Sequence, residues 1–477
     1  MYKAFIFERS MKQIVGFFLL CFIVITCVTS CKKEGFITSS NALLRTSVDT
    51  LHYDTVFTST GSITQFFKIF NPNDKKLLLS NIQLMGGNTS YFKINVDGVA
   101  GTSFNNIEIN ANDSIYVFAM VTINPNANNL PFIVQDSIKI DYNGNTRFVQ
   151  LDAYGQNAVF LRNTLVTTDS IWHKDLPIVI LGSLTVQPSV TLTIDKGTKV
   201  YFHADAPMLV HGSLQAIGEK YDSTKIIFTG DRLDDPYRDF PGGWPGIYFF
   251  DNSFNNVLQH CIIKNAYQGT IAQNPSINLN PKVTLNECIL DNIYDVAIGA
   301  TNSSINANNC LVSNCGYNIF LTAGGNYNFK HCTVVSYGNF YLQHKYPVLT
   351  VSNIVNQTTS NDINANFTNC IFYGEGGIPD DEILIKKQGN TLFNVTFNNT
   401  LYKLKSNEPA TANFIGNKLK NAPPGFDSIN IANRYYNFHL RANSSALQKG
   451  SNAGLLFDLD GNNRNINTPD LGCYERQ

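Results

Sequence analysis

The chain has 477 residues, a length that points to two domains rather than one core. Only 15% of the residues are charged and the formal net charge is −1, which removes the electrostatic case for binding nucleic acid or an anionic membrane surface. Aromatic content is 12%, with 33 Phe and 22 Tyr against 2 Trp, and outside the N-terminus no long segment spaces its apolar residues helically. Short runs of Val, Ile, Thr, Phe and Tyr between Asn, Gly, Asp and Pro clusters predict strands and turns, hence an all-β protein.

The first element in chain order is a targeting segment. Met11 and Lys12 precede Ile14 to Ile25, twelve residues that are apolar except for Gly16. That run is short of the roughly 20 residues a bilayer-spanning helix takes, and a charged start before it is the layout of a secretory signal. Residues 1–10 precede a better start at Met11. The run closes on Val28-Thr29-Ser30-Cys31, which resembles the lipobox of bacterial lipoproteins. The resemblance implies cleavage before Cys31, acylation of its sulfur, and a protein held on a membrane by two or more acyl chains, enough for stable anchoring. Residues 1–30 are then the signal peptide and 31–40 a lipid-anchored linker. Lys32-Lys33-Glu34 resembles the short charged signals of surface-exposed Bacteroidetes lipoproteins, which places the protein at the outer membrane or cell surface.

Residues 41–156 carry strand-sized alternating runs: Gln65 to Phe70, Leu77 to Leu84, Tyr91 to Val96, Ser114 to Ile123, Asp136 to Tyr142 and Arg147 to Ala153. Asn143-Gly144 between the last two is a hairpin signal, and strands at this spacing predict an antiparallel β-sandwich. Phe66-Phe67-Lys68-Ile69-Phe70-Asn71 and Val149-Gln150-Leu151-Asp152-Ala153-Tyr154-Gly155 resemble hydin-like immunoglobulin-fold modules, implying a spacer or binding module. Its single histidine, His52, has no evident partner in sequence.

Residues 157–477 contain a repeat. Cys261, Cys288, Cys310, Cys332 and Cys370 each follow a polar pair and precede an apolar residue by two places, and Thr400 takes the same position in a sixth copy; the spacings are 27, 22, 22, 38 and 30 residues. A period in the low twenties marks a solenoid. Two places after the Cys come Ile263, Leu290, Val312, Val334, Phe372 and Tyr402; three places before it come Leu258, Leu285, Ala307, Phe329, Phe367 and Phe397. Strand spacing puts the Cys and the residue two later on one inward face, while the polar pair forms a corner. Asn265, Asn292 and Asn314, four places after the Cys, predict an Asn ladder at a turn. Small, apolar Cys suits an interior column better than a disulfide or metal site, since one column cannot pair five cysteines; the states of Cys315 and Cys473 stay open. The residue after the Cys is also apolar in most copies (Ile262, Ile289, Leu311, Ile371, Leu401), so that outward face is either covered or a binding surface.

Upstream, Gly182-Ser183-Leu184-Thr185-Val186 to Gly212-Ser213-Leu214-Gln215-Ala216, with Asp195-Lys196-Gly197-Thr198 between, resembles the opening coils of right-handed β-helix repeat proteins. Downstream, Asp458-Leu459-Asp460-Gly461-Asn462-Asn463-Arg464 and Pro469-Asp470-Leu471-Gly472-Cys473-Tyr474-Glu475 resemble the tail of the choice-of-anchor Q β-helix family. Together they imply a right-handed parallel β-helix over about 165–477 and no assured activity. An EF-hand starting at Asp458 fails because Pro469 stands where its twelfth-position Glu belongs. Asp458 and Asp460 remain the candidates for a non-EF calcium site, the one cofactor suggested. The expected role of this tail is to cap the last coil and hide its open edge.

Two loops could carry function. Gly230 to Trp244 is the densest acidic patch. Its Asp231, Asp234, Asp235 and Asp239, with Arg238, are the candidate catalytic residues, because polysaccharide lyases and glycoside hydrolases on this fold use carboxylates to bind calcium or move protons. Asp–Arg pairs ordering a long loop are the alternative. The insertion Ser336 to Pro347 offers Tyr337, Phe340, Tyr341, His344 and Tyr346, which either stack on sugar rings or pack over the outward apolar column. Asp380-Asp381-Glu382 with Lys386-Lys387 reads as a solvated charged turn. No phosphate loop, nucleophile elbow or zinc spacing occurs. The expectation is a non-enzymatic surface lipoprotein whose β-helix contacts polysaccharide or surface proteins; the alternative is a polysaccharide lyase or glycoside hydrolase.

Overall fold

A computed structural model describes residues 35–57, 62–123 and 132–477. Cys31 and the targeting segment lie outside the described residues. The described chain falls into two compact units, one ending at Gly155 and one running Gln156–Gln477.

The first unit is two antiparallel five-stranded sheets. Alternation along Leu77–Leu84, Phe92–Val96 and Asp113–Val121 turns one side of each strand into a shared core that includes Phe67, Ile82, Val117 and Leu151. Asn143 and Gly144 take φ of 44° and 77° and close the Phe132–Tyr142/Asn145–Gln156 hairpin, as their residue types predict. His52, which has no evident partner in sequence, places Nδ1 2.6 Å from Asp152 Oδ1 on the neighbouring strand.

The second unit is a parallel β-helix. Its strands pair in three stacks. The cysteine sheet runs through Ile226–Gly230, Cys261–Lys264, Ile289–Asp291, Leu311–Ser313, Thr333–Ser336 and Ile371–Gly374. A second sheet includes Met208–Val210, Ile247–Phe249, Thr270–Gln273, Leu349–Ser352 and Ile383–Lys386. The third, the asparagine sheet, includes Asn256–Gln259, Val283–Asn286, Ile363–Thr368 and the first half of Phe393–Tyr402. Both inward columns expected from the repeat stack in register: Leu258, Leu285, Ala307, Phe329, Phe367 and Phe397 pair in sequence up the helix. The rings of Phe367, Phe397 and Phe414 stack at 4.9 and 4.5 Å. The ladder cysteines are buried and free, as are Cys315 and Cys473. Burial pushes the thiols of Cys261, Cys310 and Cys370 up, which keeps them protonated and unreactive.

The polar residue just before each Cys makes the corner between the asparagine and cysteine sheets. His260, Glu287, Asn309, His331, Asn369 and Asn399 all take φ between 48° and 57°. This left-handed conformation costs most L-residues about 1–2 kcal/mol and asparagine least. In return the corner N–H points along the stack: Glu287 N donates to Asn308 O at 2.9 Å and Asn309 N to Lys330 O at 3.0 Å. Asn265, Asn292 and Asn314 repeat the device at the next corner with φ of 60°, 56° and 52°.

The outward apolar column is covered from Ile289 onward. Leu311, Ile371 and Leu401 are buried with Phe426, Phe438, Leu459 and Leu471 of the C-terminal segment. That segment starts with the hairpin Phe426–Asn430/Tyr435–Leu440 and continues along the polar corner. Asn309 Nδ2 donates to Phe457 O at 2.9 Å, Asn369 Nδ2 to Ser451 O at 2.6 Å, and Asn399 Nδ2 to Ser451 Oγ at 2.8 Å. The expected end cap is therefore a lateral cover: the tail lies along the side of successive coils, because that is where the apolar column and the free corner amides are. Its sequence signature is the clasp. Arg464 and Glu475 form a buried pair at 3.1 Å, Arg464 Nη2 donates to Asn309 Oδ1 at 2.8 Å, and Cys473 N donates to Thr333 Oγ1 at 2.9 Å.

Deleting residues 421–477 should uncover this column, with a loss of roughly 1.5–3 kcal/mol for each large side chain exposed. Binding of a hydrophobic dye to the folded, truncated protein, absent from the full chain, is the check. A second outcome concerns Glu287, whose carboxyl burial pushes up from 4.5 to about 7 against the hydrogen bond from Asn309. A raised folded-state value means that the folded chain holds this proton more tightly. The contribution of this group to stability is then largest below pH 4.5 and is lost as pH rises towards 7. Glu287→Gln should match the parent near pH 4.5 and exceed it by about 2–3 kcal/mol at pH 8 in denaturant titrations.

Candidate functional site

The corner after the cysteine sheet carries both loops singled out in sequence, and the fold brings them together. Trp244 anchors the acidic loop: its ring is buried against Phe202 at 4.3 Å and its Nε1 donates to Lys264 O at 3.0 Å. Gly242 N and Gly243 N then bond to Ala266 O and Asn265 O of the following coil, at 3.1 and 2.8 Å. The aromatic insertion arrives from coils further on, with Phe240 and Tyr341 4.7 Å apart. The Asn ladder is the bridge. Asn265 Nδ2 donates to Arg238 O at 2.6 Å, Asn292 Nδ2 to Asp239 O at 2.9 Å, and Asn339 Nδ2 to Asn292 Oδ1 at 3.3 Å.

Each acid of the loop is held by a cationic or imidazole side chain. Asp231 lies 2.8 Å from His203 Nδ1, Asp234 accepts from Arg232 at 2.7 and 2.8 Å, and Asp235 lies 2.9 Å from Arg238. Asp239 is met at 2.9 Å by Arg434 of the C-terminal hairpin, a residue far away in sequence. Burial pushes the Asp231 carboxyl up, against the hydrogen bond and charge of His203. The guanidinium of Arg434 also sits over the Tyr341 ring at 4.9 Å, and Tyr436 donates to Gly338 O at 2.7 Å, so the hairpin braces both loops.

The aromatic candidates divide. Tyr337 is buried against Phe426 and Phe438. His344 is buried as well, its Nε2 3.1 Å from Glu382 Oε2, and both side chains are almost wholly out of solvent. Glu382 is thus no part of a solvated charged turn; it is the buried post to which the insertion is tied, and it also accepts from Val348 N at 3.3 Å. Phe340, at 91% exposure, and Tyr346 face solvent. Tyr346 stacks on Tyr317 at 4.1 Å, and Tyr267 stacks on Tyr294 at 5.5 Å one coil apart. With Asp295 and Gly316, several of these rings line a cleft of about 370 Å³. Tyr267, Tyr294, Tyr317 and Arg434 are not among the sequence candidates. The tyrosines were findable, since Tyr267 and Tyr294 both stand six places after a ladder Cys and Tyr317 seven.

Among the described residues no group of three or more His, Cys, Asp or Glu is arranged to hold a metal ion. Asp458 spends its oxygens on N–H donors. Oδ1 accepts from Asp460 N and Asn462 N at 3.0 and 2.7 Å, and Oδ2 from Glu475 N at 2.9 Å. Asp460 lies 2.7 Å from His439 Nε2. Both serve the turn that carries the tail's clasp.

Fold and site together define a two-unit all-β protein, an antiparallel sandwich followed by a parallel β-helix with a side-covered face and an exposed aromatic corner. No family model matches the chain, and no curated protein matches it. Solved structures with partial likeness include a family 123 glycoside hydrolase from Clostridium perfringens, at 11% identity over 24% of this chain and 26% of that one, TM-score 0.17. Another is the seventh PapD-like domain of human CEP192, at 7% identity over 27% of this chain and 92% of that one, TM-score 0.17. A third is the Salmonella enterica SafA pilin with its SafB chaperone, at 11% identity over 26% and 57%, TM-score 0.17. The matched region spans about a quarter of the length of the hydrolase chain.

The His344–Glu382 pair offers a clean test of how the aromatic insertion is held. His344→Ala removes the side-chain partner of the buried Glu382, leaving it the Val348 N–H alone, and should cost about 1–3 kcal/mol. His344→Ala combined with Glu382→Gln should recover part of it, as measured by chemical denaturation.

Proposed function

We propose that this chain is a lipid-anchored cell-envelope protein that holds glycan chains on the aromatic corner of its β-helix and performs no chemistry on them. The observation that carries the reading is the run of solvent-facing rings on neighbouring coils, Tyr267, Tyr294, Tyr346 and Phe340, beside a cleft. Coils repeat about every 4.8 Å, comparable to the length of one sugar ring, so rings repeating with the coils suit a repeating ligand. Exposed aromatic surface rimmed by polar groups is a usual mark of a binding site. The non-enzymatic part rests on the acids of the neighbouring loop, each engaged by a partner that orders the loop. Anchoring rests on Val28-Thr29-Ser30-Cys31 and outer-membrane or surface placement on the charged triplet after it.

Two measurements test the reading. Purified protein, incubated with uronate-containing and neutral polysaccharides, should be retarded in affinity electrophoresis without releasing unsaturated ends or reducing sugars. Tyr267→Ala/Tyr294→Ala should weaken that retardation roughly tenfold, at about 0.5–1.5 kcal/mol per ring. Turnover that disappears in Asp235→Asn or Asp239→Asn would overturn the non-enzymatic reading. For the anchor, Cys31→Ser should abolish incorporation of labelled palmitate in a bacterial host and release the protein from membranes.

A further inference from the structure

The outer surface of the asparagine sheet is a second feature, away from the aromatic corner. Parallel register there aligns outward-facing polar side chains in columns. Asn306, Asn328 and Asn366 succeed one another between Thr284 and Thr396, and Ser304, Asn326, Asn364 and Asn394 form the column beside them. The side-chain amides of Asn306, Asn326 and Asn328 make no hydrogen bond to the described residues, whereas Asn394 donates to Asn364 at 2.7 Å.

This array is the floor of a groove of about 810 Å³. The groove exists because corner lengths differ from coil to coil. Two coils turn onto this sheet within single long strands, Val296–Asn308 and Tyr317–Lys330. Gly325, at φ 120°, permits the second tight turn, since a Cβ there would stand 2.3 Å from Ser303 O. The coils on either side carry long loops, 274–282 and 353–362, which stand up as walls. Walls three coil repeats apart are separated by about 14 Å, room for one extended chain lying across the stack. Both walls are braced from within. Asn278 and Asn280 both donate to Asn255 Oδ1, at 3.1 and 2.9 Å, and Lys282 Nζ is buried against Phe250 O at 2.8 Å. On the far wall Asn361 Nδ2 donates to Ala323 O at 2.9 Å. Ser303, which lines the groove, is 98% buried, and its hydroxyl finds no partner among the described residues.

The chemistry of the lining selects its occupant. Asp362 is its one charged residue, and Asp362 Oδ1 already accepts from Leu392 N at 2.8 Å. With no cation to pair, a polyanion gains nothing here, and although Leu279, Pro275 and Pro281 stand on one wall, the floor of amides and hydroxyls offers little to an apolar chain. The surface is a sheet face rather than an edge, so a peptide strand cannot extend it by backbone pairing. Each asparagine amide offers a donor and an acceptor side by side, the complement of neighbouring sugar hydroxyls. We infer that the walled asparagine face of the β-helix is a binding groove for an uncharged polysaccharide segment. It uses no residue of the aromatic corner and stands or falls separately from it.

The test is isothermal titration calorimetry of the full chain with uncharged hexasaccharides (α- and β-linked glucose and mannose series) and with an oligogalacturonate as the charged comparison. At least one uncharged probe should bind, with affinity unchanged between 50 and 500 mM salt. Asn328→Ala/Asn366→Ala should reduce that affinity at least tenfold, and Asn326→Trp, which plugs the groove from an exposed outward position, should abolish it. Both variants should keep the parent's thermal unfolding midpoint, and in a Tyr267→Ala/Tyr294→Ala background, where the aromatic corner no longer contributes, the asparagine changes should still cost at least tenfold. Four results would overturn the assignment: no uncharged probe binding, preference for the galacturonate, loss of binding in the tyrosine variant instead, or an asparagine-rich peptide displacing the sugar.

Discussion

Everything in the second unit depends on one constraint: each coil must turn sharply enough for its strands to lie in register on the coil before. The residue preceding each ladder Cys meets that constraint by adopting a left-handed backbone, so that its N–H bonds along the stack instead of outward. The polar character of that position follows. Asparagine tolerates the conformation best, and its short amide remains available outside the turn. Register then brings like over like, and the inward columns become continuous stacks of cysteine, aliphatic and phenyl groups whose burial holds the coils together.

The same corner amides explain why the C-terminal segment lies where it does. A parallel β-helix has three outer faces, and here they meet solvent differently. The outer face of the cysteine sheet is apolar and is sealed by the tail, which grips Asn309, Asn369 and Asn399 and is clasped by Arg464 and Glu475. The asparagine sheet is polar and open between two loop walls. The corner after the cysteine sheet presents aromatic rings on neighbouring coils, braced from behind by the tail's hairpin through Arg434 and Tyr436. Covering one face thus also stiffens the loops of the neighbouring corner.

The acidic loop shows how a cluster of carboxylates is accommodated. Four aspartates within nine residues repel one another unless each finds a partner. The loop supplies Arg232 and Arg238, the preceding coil supplies His203, and the tail supplies Arg434. Burial raises the proton affinity of Asp231, whose carboxylate is bonded to His203.

Much of this was legible in the sequence because β-helix coils are short-range and periodic. Columns such as Leu258 to Phe397, the buried cysteines and the polar corners can be read from aligned copies, since stacking forces equivalent positions to do equivalent jobs. The hairpin at Asn143-Gly144 was equally local. What the sequence alone left undetermined were contacts between segments far apart along the chain: that the tail covers the Leu311–Ile371–Leu401 column, that Asp239 pairs with Arg434, that Glu382 is buried under His344, and that the acidic and aromatic loops share one corner. Those choices turn on which surfaces remain unsatisfied after the coils have stacked. The groove on the asparagine sheet is of the same kind, since it depends on differences in corner length between neighbouring coils and not on any motif. Local periodicity determined the scaffold; the pairing of leftover apolar and polar surface, visible only in three dimensions, decided where the scaffold is closed and where it is open.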